Sequence, residues 1–157
     1  KLSDLSDAIE MHSEDNIVRF DLQEGCLVLM DNYLLTAIEE DDKEELADLP
    51  EWQEEMIPLA RAILEDDGTR FIDPPDPFEF HEYSRMEEFI QTLEDEEVAN
   101  QLWRAIKGRG AFRYFKDTAR ELGVIEQWYA YRDNAIREFV IEWAEENNIP
   151  YEDDMKK

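Results

Sequence analysis

Helical periodicity in the second half of the chain constrains the fold more than any other feature of the sequence. From Glu79 onward, apolar residues recur every three or four positions, which is the spacing of an amphipathic helix. An acid-rich turn at 94–97 and glycines at Gly108 and Gly123 separate four predicted helices. These helices cover about 83–93, 98–106, 111–122 and 125–147. The predicted inner face of the last one is Trp128, Ala135, Phe139 and Trp143.

The first half of the chain mixes strand and helix signals. Two β-type runs, Ile17–Leu22 and Cys26–Met30, flank Gly25, which can adopt the left-handed backbone of a short hairpin loop. The second run is apolar throughout, so we expect it to be buried on both faces. Arg70-Phe71-Ile72 precedes Pro74 and Pro75, which predicts a third strand at the edge of the sheet.

Three more helices are predicted in this half, over about 3–11, 32–38 and 50–65. Asp31 can cap the second of them, and Pro58 should kink the third. The apolar stripe of the third helix is Trp52, Met56, Leu59, Ile63 and Leu64. The fold class is therefore α+β and predominantly helical, with a small antiparallel sheet (β-hairpin plus edge strand) packed on about six helices.

Length and composition predict one domain. A chain of 157 residues can bury a core without disulfides, and 43% apolar content excludes a disordered protein. We expect residues 1–157 to form a single domain, with an N-terminal α/β-hairpin half at about 1–77 and a C-terminal four-helix half at about 78–149. The segment Pro74–Pro77 is the predicted hinge or linker. One cysteine, Cys26, and the expected absence of a signal peptide or membrane span predict a cytoplasmic protein.

Charge is distributed unevenly along the chain. Residues 1–100 contain 31 Asp and Glu against 6 Lys and Arg, whereas residues 101–157 contain 11 against 10. The run at 39–55 has ten acids and one lysine, so repulsion should keep it exposed. A solvated face is the simplest explanation of this acidity, and mimicry of nucleic acid is the alternative. The net charge of −26 disfavours binding of nucleic acid or anionic membrane by the surface as a whole.

Residues 104–120, which we call the basic segment, have the opposite character. Six of the sixteen Lys and Arg lie here, with Asp117 as the only acid. A helical wheel places cations beside an apolar stripe of Phe112, Phe115, Ala119 and Leu122, and free amides near Gly108 add positive charge at the helix N-terminus. The predicted contacts for an anion or partner are Lys107, Arg109, Gly110, Arg113, Lys116 and Arg120. Neutralisation of these cations by the protein's own acids is the alternative.

An aromatic cluster follows at Trp128, Tyr129 and Tyr131. Trp128 lies on the apolar stripe of its helix and is predicted to be core. Tyr131 lies off that stripe and, together with Arg132, is a candidate for an exposed contact such as stacking on bases. The residues predicted to be buried together are Phe112, Phe115, Trp128, Phe139 and Trp143.

The sequence shows no catalytic or metal-binding signature. His12 and His81 lack the spacing of helical metal ligands, and Glu79, His81 and Glu82 would diverge on a helix. None of the four serines lies in a Gly-x-Ser-x-Gly elbow, and no Gly-Lys-Ser/Thr follows a strand. We therefore predict no metal and no cofactor, and favour a noncatalytic protein over an enzyme.

Three motifs resemble a known family. They are the segment Glu82–Ile90, the glycine-rich basic motif Ala105–Asp117, and the tryptophan-tyrosine motif Trp128–Asp133 with Glu142-Trp143. Together they resemble the bacterial uncharacterised protein family 0158 over most of the chain. The family often has a basic residue where Tyr114 stands and a phenylalanine where Tyr131 stands. Because the family has no assigned activity, the resemblance implies a shared fold and surface but no chemistry.

Three functional hypotheses follow from these patterns. The first is an intracellular, noncatalytic binding or regulatory protein whose partner, a protein or an anionic ligand, contacts the basic segment. The second is an enzyme acting on a phosphorylated or otherwise anionic small molecule at the same helix N-terminus, which would require a concave pocket with convergent polar groups. The third is an acidic mimic of nucleic acid.

Overall fold

A computed structural model of the chain describes residues 1–11 and 14–155, so the prediction that concerned His12 lies outside the described residues. The helices are α1 (Leu2–Glu10), α2 (Asn32–Glu39), α3 (Lys43–Ala47), α4 (Glu51–Glu54), α5 (Ile57–Glu65), α6 (Pro77–Phe80), α7 (Glu82–Gln91), α8 (Glu96–Ala105), α9 (Ala111–Glu121) and α10 (Ile125–Glu146). The strands are β1 (Asn16–Asp21), β2 (Cys26–Asp31) and β3 (Phe71–Ile72). The predicted fold class is confirmed. Ten helices are described where about six were expected. Three of them, α3, α4 and α6, are segments of only four or five residues, and the other seven match the helices predicted one by one from the sequence.

The chain divides into two compact units. The first contains Lys1 and Ser3–Asp76, and the second contains Leu2 and the residues from Pro77 onward. The boundary lies within Pro74–Pro77, the segment predicted as a hinge or linker. That the whole chain forms a single domain stays a prediction.

The sheet of the first unit has the order β2-β1-β3, and both pairings are antiparallel. The predicted hairpin is confirmed, because β1 and β2 pair from Asn16–Asp31 to Asp21–Cys26. The loop between them includes Gly25 at a φ of +69°, a conformation in which a side chain would be strained. The predicted third strand is confirmed as β3 at one edge of the sheet.

The prediction that β2 is buried on both faces is wrong. Val28 and Met30 are buried against apolar residues of α2 and α5, whereas Leu29 on the opposite face is 48% exposed. Since β2 is an outer strand of the sheet and α2 follows it directly, the covering helices of this unit pack on the Val28 face. In this strand, a continuous apolar run does not indicate burial on both faces.

Helix boundaries in the first unit follow local chemistry. Asp31 caps α2 as predicted, because its carboxylate accepts a hydrogen bond from the Tyr33 amide at 2.7 Å. Pro58 does not kink a continuous helix. Instead, the helix breaks at Glu55 and Met56, and Pro58 occupies the first turn of α5, where a missing N–H costs nothing. Trp52, expected on the apolar stripe, is exposed as a result.

The acidic run is exposed as predicted. Nine of the ten carboxylate residues between 39 and 55 are exposed, and Asp42 is half-buried. The Asp42 carboxylate accepts a hydrogen bond from the Glu45 amide at 3.2 Å and caps α3.

Asp21 is the one buried charged side chain among the described residues of the chain. Its carboxylate accepts hydrogen bonds from Arg70 Nε at 3.0 Å and from Arg70 Nη2 at 2.8 Å. These bonds with Arg70 are the main cause of the lowered pKa of Asp21, and the amides of Glu24 and Gln23 lower that pKa further. The ion pair therefore joins the end of β1 to the residue that precedes β3.

The second unit contains the four helices predicted from periodicity, as α7 to α10. Its core is aromatic. The ring of Phe115 lies 5.0 Å from that of Trp128 and 6.2 Å from that of Phe89, both in edge-to-face geometry. Phe115 and Trp128 are fully buried, as predicted.

Two details of this core differ from the prediction. Phe112 is 46% exposed, because the buried stripe of α9 contains Ala111 in its place together with Phe115 and Ala119. In α10 the buried positions after Trp128 are Ile136, Val140 and Ala144, while Ala135, Phe139 and Trp143 are only half-buried. In both helices the buried stripe is displaced by one residue from the stripe with the largest apolar side chains, which a ranking by side-chain size overlooks.

Candidate functional site

The loop between α8 and α9 is held at both ends by buried residues. Ile106 at the end of α8 and Ala111 at the start of α9 are both buried. The Tyr83 hydroxyl on α7 donates a hydrogen bond to the carbonyl of Ile106 at 3.1 Å, which ties the end of α8 to its neighbour. Residues 107–110 therefore form an exposed loop whose two ends are anchored in the core.

Two glycines shape this loop. Gly108 has a φ of +92° and Gly110 a φ of +73°, both in the left-handed region where other residues are strained. Gly110 is the N-cap of α9, and a Cβ atom there would lie 3.2 Å from Cε2 of the Tyr114 ring. Glycine is thus required for the backbone conformation, and it also lets the Tyr114 ring approach the start of the helix.

The N-terminus of α9 is uncapped by side chains within the described residues. The first turn contains no acid, and the Gly110 carbonyl accepts a hydrogen bond from the Tyr114 amide at 2.9 Å. The amides of residues 111–113 precede the first bond of this helical ladder. They add partial positive charge to a position that already carries cations.

The cations of the basic segment are weakly neutralised. Arg113 Nε lies 3.9 Å from Asp117 Oδ2, and Arg120 Nη1 lies 3.5 Å from Asp117 Oδ1. One carboxylate thus serves two guanidinium groups, and 86% of the Arg113 side chain is exposed. Over the parts of the chain that the structure describes, Lys107, Arg109 and Lys116 form no ion pair within 4.0 Å.

Aromatic side chains are interleaved with these cations. Phe112 is 46% exposed and Tyr114 is 57% exposed, and they flank Arg113 in the first turn of α9. Phe112 was predicted to lie in the core, and Tyr114 was not among the predicted contact residues. No periodicity signal identifies them, because the stripe that starts at Ala111 and the one that starts at Phe112 both satisfy helical spacing.

Tyr131 and Arg132, the other two predicted contact residues, are engaged with α7. The Tyr131 hydroxyl donates a hydrogen bond to Glu88 Oε2 at 3.2 Å, and its ring packs on the core around Trp128. Burial, reinforced by the charge of Glu88, raises the pKa of Tyr131, so the hydroxyl keeps its proton. Arg132 Nε donates a hydrogen bond to Glu82 Oε1 at 2.6 Å. These contacts stabilise the pairing of α10 with α7.

The described residues contain neither a cluster of metal ligands nor a candidate membrane span. No group of three or more His, Cys, Asp or Glu side chains in the described ranges is arranged to hold a metal ion. None of the helices described by the structure is both long enough and apolar enough to cross a membrane.

Comparisons with known proteins agree with the motifs seen in the sequence. A model of the uncharacterised protein family UPF0158 matches residues 20–156. A UPF0158 protein of Pseudomonas aeruginosa is 28% identical to this chain over 95 residues, which cover 59% of the chain and 61% of that relative. The chain thus spans less than two thirds of the length of that relative. No solved structure matches the chain.

Proposed function

We propose that this chain, which belongs to the uncharacterised protein family UPF0158, has a noncatalytic role. In this role the basic segment binds an anionic partner. The protein acts in the cytoplasm as a binding or regulatory component. The contact residues are Lys107, Arg109, Gly110, Arg113, Lys116 and Arg120.

The observation that carries this proposal is the local excess of positive charge around α9. Asp117 is the only acid among the seventeen residues of the basic segment, and two of the six cations share it. At physiological ionic strength, charges farther apart than about 8 Å are largely screened. A partner at the α9 surface therefore experiences these neighbouring cations more strongly than the net charge of −26.

The geometry of α9 supports the same assignment. Positions 113, 116 and 120 are separated by three and four residues, so their side chains lie along one face of the helix. The amides of residues 111–113, which no side chain caps, lie at the N-terminal end of this row of cations. Exposed charge and free backbone donors together favour an acceptor-rich ligand such as a phosphate or carboxylate chain.

A titration with polyphosphate tests the proposal. We expect wild-type protein to bind the polyanion at low salt and to release it as salt rises. The variant Arg113→Gln/Lys116→Gln should bind about tenfold or more weakly, since each hydrogen bond to a charged group contributes about 1.5–3 kcal/mol. Its melting temperature should be nearly unchanged, because exposed ion pairs contribute about 0–1 kcal/mol.

A second double variant is the matched control. Lys43 on α3 and Arg61 on α5 are both exposed and form no ion pair within the described residues, so Lys43→Gln/Arg61→Gln removes the same charge elsewhere. We expect this control to bind polyphosphate as wild type does. Equal losses in both variants would indicate a net-charge effect, and no binding by wild type would end the proposal.

A further inference from the structure

We infer that the anionic partner of the basic segment is single-stranded nucleic acid, which binds without sequence preference. This inference rests on the proposed function and specifies the class of its ligand. The inference depends on the exposure of aromatic rings among the cations of α9. A site that binds only anions does not need such rings.

The rings and the cations alternate around the start of α9. Successive residues of a helix are rotated by about 100°, so Phe112 and Tyr114 lie on the two sides of Arg113. Both rings are about half exposed or more, at 46% and 57%. The two rings are therefore about 200° apart around the helix axis, border the cations from opposite sides, and provide two separate stacking positions next to phosphate contacts.

The position of the Tyr114 ring is set by its neighbour. Its Cε2 and Cδ2 atoms lie 3.2 and 3.4 Å from the place where a Cβ atom would stand on Gly110. A ring that already packs on the backbone loses little freedom when a base stacks on its other face. The glycine at position 110 thus makes room for the Tyr114 ring as well as forming the turn.

Other anions use this surface less completely. An acidic peptide would pair with the cations but would have no flat group to cover Phe112 and Tyr114. A duplex keeps its bases stacked inside, so exposed rings reach only unstacked bases. Stacking on an aromatic ring is open to every base, because each base has a π-face, which favours binding that ignores sequence.

Fluorescence anisotropy with labelled 15-nucleotide probes tests the inference. The nucleic-acid probes are single-stranded polythymidine and polyuridine and a duplex of equal length. Labelled polyglutamate is the polyanion without bases. We expect either single strand to bind at least tenfold more tightly than the duplex or polyglutamate. With up to five phosphate contacts, the slope of log affinity against log salt should reach about −3.5 for single strands.

The rings are tested separately from the cations. We expect Phe112→Ala/Tyr114→Ala to weaken single-strand binding by about fivefold or more for each ring, while polyphosphate binding stays at the wild-type level. The matched control is Tyr33→Ala/Trp52→Ala, which removes two exposed rings of the first unit and should not change binding. Thermal melting checks that both variants remain folded.

The outcomes separate this inference from the proposed function. If polyglutamate binds as tightly as the single strands, or if loss of both rings changes nothing, the partner is an anion without bases and only the inference is overturned. If neither nucleic acid nor polyphosphate binds to wild type, both are overturned.

Discussion

Replacing Phe115 by alanine should destabilise the protein strongly, whereas the same replacement at Phe112 should be tolerated. The two residues are three positions apart on α9 and have the same side chain, but Phe115 is fully buried and Phe112 is 46% exposed. The pair therefore isolates the effect of burial from the effects of residue type and helix.

The magnitudes follow from the packing of each ring. Phe115 lies in edge-to-face contact with Phe89 and Trp128, so Phe115→Ala removes two ring pairs and leaves a cavity, at a cost of about 3–5 kcal/mol. Phe112→Ala loses the burial of roughly half a side chain, about 1 kcal/mol, and recovers about 0.5 kcal/mol because alanine is the better helix former. Its net effect should therefore stay below about 1 kcal/mol.

Urea denaturation followed by far-ultraviolet circular dichroism measures both changes. This signal is preferable to tryptophan fluorescence, because Trp128 touches the mutated Phe115 ring. Phe115→Leu is a useful intermediate, since it keeps most of the apolar volume and loses the ring pairs. Equal destabilisation by Phe115→Ala and Phe112→Ala would refute the assignment of the buried stripe to Ala111, Phe115 and Ala119.

Three further predictions concern the first unit. Asp21→Asn should cost about 2–3 kcal/mol at pH 7 by leaving Arg70 without its carboxylate. The pKa of Asp21 is lowered in the fold, so its contribution is present above about pH 4 and is lost as pH falls through the folded pKa. Chemical denaturation from pH 7 to pH 3 should therefore show the gap between wild type and Asp21→Asn shrinking, and a constant gap would contradict the role of charge. Raising sodium chloride from 0.05 to 1 M should raise the melting temperature, because salt screens the nine exposed carboxylate residues of 39–55, and a flat or falling temperature would contradict that repulsion. Asp31→Ala should cost about 1 kcal/mol in urea denaturation by removing the cap of α2, and an unchanged midpoint would exclude the cap as a stabilising contact.

Helix boundaries that depend on a glycine or on a capping side chain could be predicted closely, whereas the break at Glu55 and Met56 could not. Gly108 and Gly110 adopt positive φ values that end one helix and begin the next, and Gly123 does the same before α10. Asp31 caps α2 through its own side chain. Each of these signals acts over a few neighbouring residues, so it can be read from the sequence without knowledge of packing.

Which face of a helix is buried could be predicted less well. On α9 the sequence allows a stripe through Phe112 or through Ala111, and the small residue occupies the buried position. The same is true on α10, where Val140 and Ala144 are fully buried and Phe139 is half-buried. Which of two equally spaced stripes is buried depends on the helices that pack against it, and helical periodicity alone does not contain that information.

The candidate surface was predictable in its charge but not in its aromatic part. The positive charge of the basic segment can be read directly from the sequence, because the segment contains six cations and a single acid. The exposure of Phe112 and Tyr114 follows from the rotation of α9 about its axis, which packing determines. Tyr131 was expected to be exposed because it lies off the apolar stripe. Its hydroxyl instead donates a hydrogen bond to Glu88 on α7.

The binding site is tested most directly by nuclear magnetic resonance of ¹⁵N-labelled protein during addition of polyphosphate. An 18.7 kDa chain gives resolved amide spectra, so each backbone N–H reports on its own surroundings. The proposal predicts that the largest shifts occur at Gly110, Ala111, Phe112 and Arg113, whose amides lie at the start of α9, and that salt reverses them. Shifts confined to other elements, or none at any polyphosphate concentration, would contradict the assignment of the basic segment as the binding surface.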